Sequence, residues 1–210
     1  MDVLLSEHRG AVLATGPDSP HAGDPRDRGP DPTRGPAGRR PGAAAPGGAD
    51  PRDRPLRGAL GEADGAVPDG TTVFDNEYPA VANLDPNLLR ALRQAARDAA
   101  GDGVEFYVNS GWRSRKYQEQ LFREAVSKYG LTKEAARWVD PPGTSAHESG
   151  DAVDIGHSDA TAWLSEHGAD YGLCQIYSNE PWHYELRPEA IDHGCPPMYA
   201  DPTQDPRMQQ

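Results

Sequence analysis

The stretch that decides the fold runs from Gly143 to Gly156 and reads GTSAHESGDAVDIG. Residues 152–155, with aliphatic side chains around Asp154, are typical of a short buried strand. Gly150 supplies a turn before that strand, and His147 precedes the turn on a loop. The block therefore predicts a histidine on a loop and an aspartate on the strand that follows it.

A second block, EPWHYE at residues 180–185, predicts a further strand that starts at His183. If the two strands are neighbours, Asp154 and His183 can share a face, and His147 can close the triangle from its loop. Two imidazoles and one carboxylate are the ligand set of a catalytic zinc ion, with the fourth position left for water. Glu180 then lies within reach of such a site and can act as acid or base.

The residues alone do not decide between a zinc site and a structural cluster. His147 and Glu148 begin like the HExxH helix of zinc proteases, but Asp151 stands where that motif needs its second histidine. Gly150 would also weaken such a helix. A buried histidine is more often a hydrogen-bonded core residue, and an aspartate after a Gly-rich turn is more often a turn former. A structural cluster is therefore the alternative to a metal site.

Helical and extended patterns alternate around the two blocks. Asp85 and Pro86 predict the start of a helix with apolar residues at helical spacing as far as Gly101, and Ser114 predicts a second long helix. Shorter helices are expected from Thr132 and Ser158, and strands at residues 104–108, 152–155, 173–177 and 183–186. This order predicts an α+β domain with a small, mainly antiparallel sheet packed with helices, the zinc site lying on the sheet.

The first third of the chain has a different composition. Residues 11–70 contain 12 Gly and 11 Pro, and no aromatic residue occurs before Phe74. Such a stretch cannot bury a core, so we expect residues 1–70 to be a disordered Pro/Gly/Arg/Asp-rich leader or linker. The folded domain is predicted at residues 71–210.

The charge and the apolar pattern restrict the classes of partner that the domain can bind. The chain has a net charge of -12, and residues 74–210 hold 12 Lys and Arg against 22 Asp and Glu. An acidic domain is a poor binder of nucleic acid, and no apolar stretch is long enough for a transmembrane segment. No secretory signal peptide is visible. Cys174 and Cys195 are the two cysteines, and their spacing leaves a disulfide open.

Three blocks together resemble the family of zinc D-alanyl-D-alanine carboxypeptidases, which includes the vancomycin-resistance-type D,D-carboxypeptidases and related D-Ala-D-Ala dipeptidases. The blocks are SGWRS (110–114) with the following Tyr117 and Gln118, then GTSAHESGDAVDIG (143–156), then YG (171–172) with EPWHYE (180–185). The motif SxHxxGxAxD followed by ExWH is specific, and the order of the blocks agrees with the family.

The resemblance implies a role for each matching residue. His147, Asp154 and His183 would bind one Zn²⁺ ion, and Glu180 would be the general base. Arg113 would lie beside the scissile carbonyl and stabilise the oxyanion.

Further positions carry weaker implications. Ser145 and Gln118 match polar residues that line the family's cleft, so both are expected to bind substrate. Trp182 is expected to pack beneath His183 and to fix the geometry of that ligand.

The resemblance implies removal of the terminal D-Ala from peptidoglycan stem peptides that end in D-Ala-D-Ala. The connection at residues 171–180 is short, which favours an open cleft and a carboxypeptidase over a dipeptidase. A wall endopeptidase or a dipeptidase with the same site is the alternative. An alternative of another class is a non-catalytic, zinc-dependent wall-binding module, which would need neither Glu180 nor Arg113. The family implies a wall-facing location, whereas the lack of a visible signal peptide leaves the cytoplasm open.

Overall fold

The computed structural model describes residues 60–209, so the described part begins before the predicted boundary at residue 71. A 3-10 turn spans Glu62–Asp64, and the backbone N–H and the hydroxyl of Ser114 donate to the carbonyl and carboxylate of Asp64. Val67 packs against the main core. These contacts attach the end of the predicted leader to the domain, although its composition gives no sign of them. Residues 1–59 of that leader lie outside the described residues.

The described part of the chain contains seven α-helices and four strands. The helices are α1 (Pro79–Ala82), α2 (Pro86–Gly101), α3 (Arg115–Tyr129), α4 (Thr132–Ala135), α5 (Ala146–Ser149), α6 (Ser158–His167) and α7 (Ala190–His193). The strands are β1 (Tyr107–Ser110), β2 (Ala152–Gly156), β3 (Leu173–Gln175) and β4 (His183–Leu186).

The strands form one antiparallel sheet in the order β1-β2-β4-β3. The register of the central pair places Asp154 of β2 opposite His183 of β4. A helical layer on a small antiparallel sheet confirms the predicted α+β class. Because the facing position is set by backbone pairing, the two side chains are brought together by the sheet itself.

Helix α2 supplies much of the core. The Asp85 carboxylate accepts hydrogen bonds from the N–H groups of Asn87 and Leu88 and so caps the helix at its predicted start. Every third or fourth residue of α2 is then buried. The buried face comprises Leu88, Leu92, Ala95, Ala96 and Ala99, and it joins Val153, Ile155 and Tyr184 of the sheet in one cluster.

Some elements differ from their predicted bounds. Strand β1 starts at Tyr107 rather than at residue 104, and the four-residue helices α1, α5 and α7 have no counterpart in the predictions. A single helical turn contains too few residues to show a 3.6-residue period. His147 therefore lies in the helical turn α5 and not on an irregular loop.

The chain beyond β4 is attached to strand β3 and to the residues that follow that strand. A disulfide joins Cys174 of β3 to Cys195, and a parallel bridge pairs Tyr177 with Tyr199. Across residues 60–209, none of the helices has the length and apolar character that crossing a membrane requires.

Candidate metal centre

His147 is fixed by contacts of its backbone and of its ring. Its N–H donates to the hydroxyl of Ser145, which caps α5, and Gly150 ends this helix in the left-handed region. On the ring, Nδ1 lies 2.8 Å from the carbonyl oxygen of Gly111. Since a carbonyl only accepts, Nδ1 carries the proton and Nε2 is free to act as a ligand.

Asp154 and His183 complete a compact group with His147. Asp154 Oδ1 lies 3.4 Å from His147 Nε2 and 3.3 Å from His183 Nδ1. One ligand atom from each residue lies within 4.8 Å of the other two, and all three side chains are buried. Oδ1 of Asp154 is buried and has no hydrogen-bond partner within residues 60–209. A cation between these atoms would satisfy that oxygen, so the group fits a single metal ion.

The far side of the His183 ring has two neighbours. Nε2 lies 3.3 Å from Oε1 of Glu185, and the ring of Tyr177 packs with its centroid 5.0 Å from that of His183. With Nε2–H donating to a carboxylate, Nδ1 is left to face Asp154. Both histidines, once neutral, therefore present an unprotonated nitrogen to the same point.

The charges of the three groups depend on one another. Burial alone would raise the pKa of Asp154, but His147, His183 and Arg113 hold it well below its usual range. Burial and the positive charge of Arg113 lower the pKa of His147. Burial would lower the pKa of His183 as well, but the neighbouring carboxylates of Asp154 and Glu185 raise it to about 10. In the metal-free protein, His183 is thus the imidazole that holds a proton.

Glu180 lies at the edge of this group. Its Oε2 is 3.7 Å from Nδ1 of His183, and the residue is 6% exposed. Burial raises its pKa to about 8, and the neighbouring carboxylates of Asp154 and Asp140 add to the rise. A carboxyl group whose pKa lies near neutrality can both take up and give back a proton.

Arg113 is held by three side chains. Its Nε donates to the hydroxyl of Ser110 at 2.7 Å, one terminal nitrogen donates to Gln118 Oε1 at 3.1 Å, and the other donates to Asp154 Oδ2 at 2.7 Å. A guanidinium has five N–H donors, so these bonds leave further donors beside the Asp154 carboxylate.

The two predicted substrate-binding residues are both engaged within the protein. Gln118 is 0% exposed, and its amide nitrogen donates to the carbonyl of Asp140 while its oxygen accepts from Arg113. Ser145 is buried, and its hydroxyl caps α5. Gln118 therefore acts on the site by holding Arg113.

The side chain of Trp182 is 38% exposed, and Tyr177 packs its ring on His183. The packing of Trp182 beneath His183 stays a prediction.

Three residues near the metal group were missed from the sequence. Glu185 follows His183 by two positions, so the period of a strand was a usable signal for it. Tyr177 lies beyond the end of β3, where no period operates. Asp140 precedes two prolines and gave no signal. It is buried, burial raises its pKa, and its Oδ1 has no hydrogen-bond partner among the described residues.

Comparisons with known proteins found similar sequences. The family model described as VanY, D-alanyl-D-alanine carboxypeptidase, matches residues 81–189. A D-alanyl-D-alanine carboxypeptidase of Enterococcus faecalis (strain ATCC 700802 / V583) is 34% identical over 139 residues, which is 53% of this chain and 52% of the relative. The chain thus spans about half the length of that curated relative.

Two solved structures are also similar to this chain. One is the vancomycin-resistance D,D-pentapeptidase VanY from a VanB-type resistance cassette, determined as a variant with Zn(II), at 30% identity, with 49% of this chain and 72% of that chain covered and a TM-score of 0.46. Another is VanYB with D-alanine-D-alanine, at 30% identity, with 53% and 74% covered and a TM-score of 0.48.

Proposed function

The chain belongs to the VanY family of D-alanyl-D-alanine carboxypeptidases, and from that premise we propose that it is a zinc-dependent D,D-carboxypeptidase. Its substrate is a peptidoglycan stem peptide ending in D-Ala-D-Ala, from which it hydrolyses the terminal D-Ala. The observation that carries this proposal is the buried group of His147, Asp154 and His183 with Glu180 at its edge.

Zinc is the ion that suits the donor set. Two imidazole nitrogens and one carboxylate oxygen leave a coordination position open, which is the arrangement of catalytic rather than structural zinc sites. The unpartnered Oδ1 of Asp154 supports a cation at this point. A zinc ion held there supplies Lewis-acid chemistry, polarising the scissile carbonyl and making water a better nucleophile.

Glu180 moves the proton. Its carboxylate takes a proton from the attacking water and returns it to the amine of the departing D-Ala. Burial suits it to both steps, because a raised pKa makes the carboxylate a stronger base and keeps the captured proton available.

Arg113 and Ser145 act on the substrate. Arg113 stabilises the charge that develops on the carbonyl oxygen, and its bonds to Ser110 and Gln118 fix the guanidinium before substrate arrives. Ser145, two residues before a metal ligand, contributes a hydroxyl for the terminal carboxylate of the peptide.

We place the protein outside the cytoplasm, facing the cell wall. The disulfide between Cys174 and Cys195 supports this location, because disulfides persist in oxidising compartments and are rare where thiols are kept reduced.

The test is mass spectrometry of a muramyl pentapeptide ending in D-Ala-D-Ala after incubation with the full chain. We expect loss of one alanine, abolished by a chelator and restored by zinc. Glu180→Gln should bind zinc as the wild type does and turn over about 10²-fold more slowly or worse. Glu166→Gln is the matched control, because this glutamate is exposed and contacts only His167 among the described residues.

Each other outcome moves the assignment. Release of a dialanine or another internal cut indicates an endopeptidase, and an untouched pentapeptide beside hydrolysis of free D-Ala-D-Ala indicates a dipeptidase. Zinc-loaded protein that cleaves neither peptide overturns the proposal and leaves the wall-binding module, whereas equal turnover by Glu180→Gln overturns the role assigned to Glu180.

A further inference from the structure

Glu185 joins the metal centre to the end of the chain. The carboxylate is 1% exposed, and its Oε1 lies 3.3 Å from Nε2 of His183. Arg207 binds it with both terminal nitrogens, at 2.7 Å to Oε2 and 3.2 Å to Oε1, and Arg187 donates to Oε2 at 2.7 Å. Burial alone would raise the pKa of Glu185, but His183 and Arg207 hold it well below its usual range.

The second neighbour of His183 is held from the same place. The hydroxyl of Tyr177 donates to Oδ2 of Asp205 at 3.1 Å, and Asp205 is 0% exposed. Asp205 also accepts hydrogen bonds from the Arg207 guanidinium. Two residues of the C-terminal segment, residues 195–209, therefore hold both groups that contact the far side of the His183 ring.

Other contacts keep the C-terminal segment in place without involving Arg207. They are the disulfide at Cys195, the bridge between Tyr177 and Tyr199, and an ion pair of 2.9 Å between Arg137 and Asp201. The last of these supplies a control, because it attaches the same segment through a different arginine.

We propose that Arg207 is a positioning residue for the metal centre. It holds Glu185 against His183, which fixes the tautomer that presents Nδ1 to the metal and limits rotation of the ring. Loss of a group that orients a metal-bound histidine typically costs about 10- to 100-fold in metal affinity. The C-terminal segment thus holds Glu185, which lies on the same face of β4 as His183.

This inference rests on the proposed function, since it assumes that zinc binds to His147, Asp154 and His183. The experiment measures the zinc dissociation constant of the oxidised full chain by competition with a fluorescent chelator. The variants are Arg207→Met, Glu185→Gln, their combination, and the control Arg137→Met. Met is tolerable at position 207 because the Arg207 side chain is 41% exposed and lines a cavity of about 790 Å³.

We expect Arg207→Met to weaken zinc binding about 10- to 100-fold. Arg137→Met should change it by about twofold or less, because Arg137 pairs with Asp201 and not, among the described residues, with a group that contacts His183. In the Glu185→Gln background, Arg207→Met should have little further effect, because Arg207 acts through Glu185. If Arg207 merely stabilised the fold, Arg207→Met would weaken zinc binding equally with and without the Glu185→Gln substitution.

The proposal is overturned if Arg207→Met binds zinc as tightly as the wild type, or if its effect is the same with and without Glu185. A wild type that binds no zinc overturns the proposed function and this inference together, whereas a zinc-binding wild type with an unaffected Arg207→Met overturns this inference alone. Should Arg207→Met fail to unfold cooperatively, Arg207→Lys replaces it, with an expected loss of about 3- to 10-fold because Lys cannot form the two-pronged contact.

Discussion

Glu180 and Glu185 lie on the same short stretch of chain, and their carboxyl groups have opposite properties. Both are buried, and burial alone would raise both pKa values, but His183 and Arg207 lower the pKa of Glu185, whereas the pKa of Glu180 rises to about 8. The environment therefore separates a permanently charged acceptor from a group that exchanges protons. This separation is the residue-scale basis for assigning acid–base work to Glu180.

The raised pKa of Glu180 predicts a stability cost in the metal-free protein. Between its ordinary pKa of 4.5 and about 8, the folded state holds a proton that the unfolded state has lost, so stability falls as pH rises through this window. Glu180→Gln has no such proton. We expect it to be more stable than the wild type at pH 7 by about 1–3 kcal/mol, and by little at pH 4.5.

Urea unfolding of chelator-treated protein at pH 4.5, 6 and 7.5 measures this difference. Glu166→Gln should follow the wild type throughout. A Glu180→Gln variant whose stability advantage does not grow with pH contradicts the raised pKa.

His183 predicts how zinc affinity depends on pH. Its pKa of about 10 means that the metal-free protein carries a proton on this ring at neutral pH, and the ring must lose a proton to bind zinc. Apparent zinc affinity should therefore increase about tenfold per pH unit between pH 6 and 8. Calorimetry in buffers of different ionisation enthalpy should detect at least one proton released per zinc at pH 7, and an affinity that is flat over this range would count against the assignment.

At the scale of elements, the sequence was informative where a period or a cap was present. The start of α2 at Asp85 and Pro86, the strand around Asp154 and the strand from His183 were all predicted, and the register of β2 and β4 follows from their pairing. The helical turn at His147 was not, because one turn has no period. Other contacts of the centre were not predicted for another reason: Tyr177 packs on His183, and Arg207 binds Glu185, through chain packing that no local pattern encodes.

The turn after α5 shows how strongly one element depends on a glycine. Gly150 has a φ of +81°, and a Cβ built on it would lie 2.3 Å from the carbonyl oxygen of Asn83. Its own carbonyl accepts a hydrogen bond from the N–H of Asp85 at the start of α2. Gly150→Ala should therefore destabilise the protein by about 2 kcal/mol or more, and weaken zinc binding because His147 lies in this turn.

Gly101→Ala is the matched control, because Gly101 ends α2 in open space without a positive φ. We expect this variant to be as stable as the wild type or up to about 1 kcal/mol more stable. Thermal unfolding of both variants makes the comparison. Equal melting temperatures for Gly150→Ala and Gly101→Ala would mean that the turn is not constrained as the structure has it.

At the scale of the whole molecule, the centre is assembled from segments that are far apart in the chain. Arg113 follows β1, His147 lies in α5, Asp154 and His183 lie on paired strands, and Arg207 comes from the last turn. No pair of these segments could form the centre alone. Metal binding should therefore report on the integrity of the entire domain, including its C-terminal segment.

The disulfide provides the test of that coupling. Cys174 and Cys195 are separated by 21 residues, and closing a loop of this length stabilises a fold by about 3 kcal/mol in the chain-entropy account. Replacing both by alanine should lower the free energy of unfolding by about that amount. Because the same bond attaches the segment that bears Arg207, it should also weaken zinc binding in the protein that remains folded.

Urea unfolding and chelator competition on the double variant separate these two effects, with wild type in reductant as a second route to the same state. Reductant should change the wild type and leave the double variant unaffected. A variant that loses stability but binds zinc as tightly as the wild type would show that the remaining attachments, at Tyr199 and Asp201, suffice to hold Arg207 on Glu185. Loss of stability and of zinc affinity together would instead mean that the disulfide at Cys195 is needed to hold Arg207 on Glu185.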